Sequence, residues 1–157
     1  MPGEIYVVMT GNDNELWPEC LERNFVAMGF DTPYFDAWHG GDYDAYLALE
    51  YAAATTGTPD ADIKARATLW FNRATRLRES VGDLWLHRDG AALYWAETVD
   101  APPVFDPLSD KVIIAKPTTN WSKRNRKTVA LGWDSIHPKA KDYLAPSRPC
   151  FMSPTAT

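Results

Sequence analysis

The stretch GDLWLHRDGAALYWAE, residues 82–97, limits the fold more than any other part of the chain. Asp89-Gly90 signals a two-residue primed turn, because such turns need positive φ and these two residue types tolerate it. With that turn Leu86 faces Leu93 and Leu84 faces Trp95, while Trp85 faces Tyr94 on the opposite side, since strand side chains alternate with period two. Both faces of the hairpin are then apolar. A sheet with one wet side alternates apolar and polar residues. The expectation is therefore a hairpin covered on both sides, as in a small barrel with a filled interior and a helix outside.

The segments around the hairpin set its context. EIYVVM (4–9) reads as an opening strand closed by Gly11, Asn12, Asp13 and Asn14. A helix follows, with Pro18 in its first turn, Trp17, Cys20 and Leu21 on one face, and an end near Asn24. FVAMGF (25–30) is a second strand, running into DTPYFDAWHGGD, which reads as a loop rich in aromatics and turn formers. Asp42 caps a helix carrying Tyr43, Tyr46, Leu47 and Leu49. Pro59 and Asp60 open another, with Ile63, Ala67, Trp70, Ala74 and Leu77 at helical spacing. After the hairpin, APPVFDP is an irregular crossing, KVIIAK (111–116) a fifth strand and KTVALGWD (127–134) a sixth, and Pro138 starts a terminal helical turn. The helices fall in the first half of this order. That predicts an α+β fold with a curved sheet or small β-barrel of about six strands and helices packed outside. Residues 1–145 form one domain on this reading, and 146–157 a flexible tail or linker.

A chain of 157 residues can bury a substantial core as one domain. Cys20 and Cys150 lie far apart and match no metal spacing, so no metal, cofactor or disulfide framework is expected. No apolar run reaches the length of a membrane span, and the first residues lack the pattern of a signal peptide, which points to a reduced, cytoplasmic setting. Catalytic patterns are absent too. His39, His87 and His137 are isolated, with His87 read as a surface residue on its strand, and Ser80, Ser122 and Ser135 sit in no nucleophile elbow. TGNDNE lacks the Gly-Lys-Ser/Thr of a phosphate loop, and the scattered acids Asp13, Glu15, Asp31 and Asp36 make a poor metal site.

Charge is distributed unevenly. Residues 1–110 carry seven Lys/Arg against nineteen Asp/Glu, whereas residues 111–157 carry nine against two. Within the basic part, KPTTNWSKRNRK joins Lys116, Lys123, Arg124, Arg126 and Lys127 with Trp121, a pairing suited to holding phosphates and stacking a base or sugar. The competing reading of this segment is a solvated basic loop.

WPECLERNFVAMGFD and WFNRATRLRESVGDLWLHRDGAALYWAETV, with Gly29-Phe30-Asp31 ending a strand and Val81-Gly82-Asp83 entering one, resemble the PUA-like superfamily. The likeness is to EVE-type and SRA-like domains at the front of modification-dependent restriction enzymes, and covers about residues 4–134. It implies a barrel whose central hairpin is dry on both faces, so that Trp85, Tyr94 and Trp95 are mainly structural. It also implies a non-catalytic reader of duplex DNA that holds a modified base, modified cytosine above all, flipped into an aromatic pocket, with a nuclease module on its C-terminal side. Such a pocket needs stacking planes and acceptors for an exocyclic amine. Asn12 follows the first strand, and Asp31, Tyr34, Asp36 and Trp38 follow the second. These loops open at one end of the barrel if the two strands are parallel neighbours. The competing readings are a turn or N-cap carboxylate for Asp31 and a core aromatic for Trp38. For the chain as a whole, the alternatives are an RNA-binding PUA-like module and a small acidic protein-interaction domain.

Overall fold

The order of elements follows from where the apolar periodicity changes. The computed structural model describes residues 3–7, 15–125, 129–132 and 137–139. Within them the chain runs through β1 (Ile5–Val7), α1 (Trp17–Arg23), β2 (Phe25–Asp31), α2 (Thr32–His39), α3 (Tyr43–Ala53) and α4 (Asp60–Glu79). It continues through β3 (Leu84–Asp89), β4 (Ala92–Glu97), β5 (Val104–Pro107) and β6 (Lys111–Pro117). The fold is α+β. The strands form two three-stranded sheets, ordered β1-β3-β4 and β2-β6-β5, and among the described residues they do not close into a barrel.

Several boundaries match the expected ones for the expected reasons. Asn24 ends α1 in the left-handed conformation at φ 58°, which asparagine adopts at little cost, and Asp42 accepts a hydrogen bond from the Ala45 amide at the start of α3. The stretch expected to be a loop is instead α2. Asp31 occupies its N-cap position, Pro33 sits in its first turn, and Phe35, Ala37 and Trp38 are buried. Burial of that face outweighs the turn-forming composition. APPVFDP likewise contains a strand, β5, at the edge of its sheet, where the missing N–H of Pro107 is tolerated. The expected parallel pairing of the first two strands is not formed. β1 runs parallel to β3, and β2 pairs antiparallel with β6 in the other sheet.

The hairpin forms with its turn one residue later than expected. Asp89 pairs with Ala92, so Gly90-Ala91 is the loop and Gly90 takes φ 58° in the glycine-first primed turn. Leu86 faces Trp95, Trp85 faces Ala96 and His87 faces Tyr94. A shift of two in pairing keeps every side chain on its expected face. One face is buried at its centre, with Trp85, His87 and Ala96 at 0%, 1% and 0% exposure, and opens toward the turn at Tyr94, Ala92 and Asp89. The other is mostly half-buried, Leu93 excepted. His87 is thus no surface residue: its ring stacks on Trp17 with centroids 3.8 Å apart.

The Val81-Gly82-Asp83 motif has a structural use. Asp83 accepts hydrogen bonds from the Ser80 hydroxyl and the Glu4 amide, Ser80 also accepts from the Trp85 indole, and Thr98 accepts from the Asp83 amide. This knot joins the end of α4 to the edges of β1, β3 and β4.

In the second sheet β6 is the central strand and is buried on both faces from Val112 to Lys116. α2 and α4 pack against it on one side, where Phe105 of β5 meets Phe35 and Trp38. α1 lies over the other side, against Phe25 and Ala27. Past β6 the chain crosses to the first sheet. Isolated bridges Thr98↔Thr118 and Trp95↔Ser122 carry it along the β4 edge, and Ala92↔Gly132 brings it back.

Candidate nucleic-acid interface

The residues expected to form one base pocket are dispersed. Asp31 is exposed at the end of β2 and makes no capping hydrogen bond. Tyr34 is half-buried, donates from its hydroxyl to the Leu49 carbonyl at 3.2 Å, and lines a recess between α2, α3 and α4. Asp36 is exposed and lines a separate shallow groove between α2 and α3. Trp38 is 2% exposed: its indole N–H donates to Thr75 at 3.0 Å, and the guanidinium of Arg78 lies 5.0 Å from its ring. It sits in the core, with no open face for a base, because α2 turns it toward β5 and α4. Asn12 lies outside the described residues.

The basic segment divides. Lys116 is 3% exposed and donates to the carbonyls of Arg78 at 3.1 Å and Ala101 at 2.7 Å, so it holds α4 and the β4–β5 connection to β6 rather than facing a phosphate. Burial lowers its pKa, with Asp100 opposing. Trp121 is also buried; its indole donates to the Phe25 carbonyl and its ring meets Trp17 edge-on. Lys123 and Arg124 differ, because both side chains are exposed.

Those two cations stand on an excursion from the β4 edge. Ser122 exchanges both backbone hydrogen bonds with Trp95, at 2.8 and 2.9 Å, and the Trp95 indole donates to the Arg124 carbonyl at 2.6 Å. Beyond that anchor the chain folds on itself: Arg124 bridges Ala130, the Asn125 amide donates to Val129, and the Leu131 amide donates to Lys123. The result is a short antiparallel ribbon that pairs residues 122–125 with residues 129–132. Arg126 and Lys127 lie outside the described residues.

Near the root of this ribbon lies a cleft that the sequence did not disclose. It has a volume of about 280 Å³, between α1 and the β2-β6-β5 sheet, and is lined by Phe25, Ala27, Phe105, Ile113 and Cys20 with Glu19, Arg23 and Asp106 among its polar residues. Arg23 pairs with Glu19 at 2.7 Å and sits 5.2 Å from the Phe25 ring. Two contacts tie this cleft to the root of the ribbon: Asn24 donates to Asn120, and Trp121 donates to the Phe25 carbonyl. The one sequence signal was the Glu19/Arg23 spacing of i, i+4, which usually marks only a solvated helix face.

Cys20 gives the cleft's wall a measurable property. Burial, reinforced by Glu19 and opposed by a hydrogen bond with the Ala27 backbone, pushes its thiol up to about 12 from a reference near 9. The folded pKa is raised, so this stability is complete below pH 9 and is lost as pH rises toward 12. Each pH unit across that interval removes up to about 1.4 kcal/mol. Tyr46, also raised by burial, acts in the same direction, and Lys116 opposes them. Thermal melts should therefore show the wild type weakening steeply above pH 9, with Cys20→Ala less stable at neutral pH but flatter across that range.

No family model matches the chain, and neither a curated protein nor a solved structure matches it.

Proposed function

We propose that this chain is a DNA-recognition domain of PUA-like kind that grips the phosphate backbone with the ribbon of residues 122–125 and 129–132 and reads a modified base, modified cytosine above all. The observation that carries the reading is the ribbon itself: exposed Lys123 and Arg124, continued in sequence by Arg126 and Lys127, on a chain whose first 110 residues are strongly acidic. A two-stranded ribbon fits the major groove, and cations on it release counterions from the duplex. The bridges that carry the chain from β6 along β4 support a curved, PUA-like course of the sheets.

On this reading a base leaving the duplex enters the cleft near the root of the ribbon. It lies against Phe25, and Glu19 or Asp106 accepts its exocyclic amine. Asp31, Tyr34 and Asp36 stay outside this contact. The domain serves as the specificity module of a modification-dependent restriction system, in the cytoplasm, with a nuclease module supplying cleavage. Affinity measured on matched duplexes tests this. A duplex carrying 5-methylcytosine should bind about tenfold or more tighter than the unmodified one, the scale of one well-read base pair, and Asp106→Asn should narrow that gap. Preference for RNA would favour the RNA-binding alternative, and no binding to either would favour an acidic protein-interaction domain.

A further inference from the structure

α4 is twenty residues long, about 30 Å, and a second polar recess lies at its far end. Arg78 in its last turn accepts from Lys116 of β6, whereas Asp62, Ile63 and Arg66 in its first two turns line a cavity of about 270 Å³ with Tyr34, Glu50 and Thr58. This cavity lies at the opposite end of α4 from its contact with β6.

Glu50 sets the cavity's chemistry. It is 8% exposed, a depth at which a carboxylate requires strong compensation. Among the described residues its carboxylate has one partner, the Nε of Arg66 at 3.3 Å from Oε2, and that arginine side chain is 70% exposed. The guanidinium reaches in from solvent along a side chain with high rotamer entropy, so it is held weakly. Two carboxylates, Glu50 and Asp62, face this single cation around the cavity. The same negative field acts on Tyr34, whose hydroxyl is raised first by burial and then by Glu50. Apolar surface completes the lining, from Ile63, Ala53 and Ala54.

We infer that this cavity is a receptor for a small alkylguanidinium cation, whose head pairs with Glu50 in the place Arg66 now takes and whose stem lies along Tyr34 and Ile63. Arg66 stands in for the ligand head, since it presents the same group to the same oxygen. A planar cation with several donors suits a buried carboxylate better than a compact ammonium does. The inference does not depend on nucleic-acid reading.

Titration calorimetry with N-butylguanidinium on the full chain tests it. Saturable binding is expected, weakened about tenfold or more in Glu50→Gln, as loss of a charge-assisted hydrogen bond predicts. Ala54→Leu, which fills the cavity while keeping every charge, should abolish it, and Lys123→Ala with Arg124→Ala should leave it unchanged. Butyrate, of similar stem and opposite charge, should not bind. Absence of saturable butylguanidinium binding would overturn the inference, as would equal affinity in Ala54→Leu or equal binding of butyrate. If Glu50→Gln fails to fold, Ala54→Leu and butyrate still decide.

Discussion

Trp38→Ala is expected to lower the melting temperature by about 6–20 °C, because truncating a core tryptophan costs about 3–5 kcal/mol and each kcal/mol moves a domain of this size by about 2–4 °C. The indole is 2% exposed, donates to Thr75 and packs edge-on against Phe105, so the truncation leaves a cavity and removes one of the two hydrogen bonds of the Thr75 hydroxyl, which keeps its donation to the Phe71 carbonyl. Below the variant's melting range, its preference between modified and unmodified duplex should equal that of the wild type. Scanning calorimetry with affinities on both duplexes checks this. An unchanged melting temperature with selective loss of the modified duplex would return Trp38 to the base.

Trp38 also marks where sequence reasoning reached its limit. The elements with clear periodicity, α1, α3, α4, β2 and β6, were legible, as was the hairpin. α2 was not, because Thr32, Pro33 and Asp36 resemble a loop locally and only tertiary burial of Phe35 and Trp38 makes a helix of them. The hairpin turn moved because Asp89 is needed in the strand, where its carboxylate accepts the Trp17 indole at 3.1 Å, leaving Gly90 to take the positive φ. Lys116 looked like its basic neighbours, since sequence cannot show that two backbone carbonyls await its ammonium inside the fold. His87 was hidden in the same way, under Trp17. The exposed pair Lys123 and Arg124 was legible from charge alone. The cleft was not, because its walls come from two stretches far apart in the chain, residues 16–27 and 104–115.

Replacing both Lys123 and Arg124 by alanine is the second change expected to have a large effect. Their side chains are exposed, and their backbone is held by Trp95 and by the ribbon's own bonds, so alanine removes charge without removing the anchor. Loss of two phosphate contacts should weaken binding to modified and unmodified duplexes alike, by about tenfold to a hundredfold at low salt, with little change in melting temperature. Lys116→Met, by contrast, should leave DNA affinity unchanged while altering stability, because its ammonium serves Arg78 and Ala101.

The dependence of duplex affinity on salt, measured for the wild type and for the Lys123→Ala/Arg124→Ala variant, tests the ribbon's role most directly. Each phosphate contact contributes about −0.9 to the slope of log affinity against log salt, so the variant's slope should be shallower by about two on both duplexes. Identical slopes in the two proteins, or a wild-type affinity that salt does not change, would contradict the assignment of the ribbon as the DNA-facing surface.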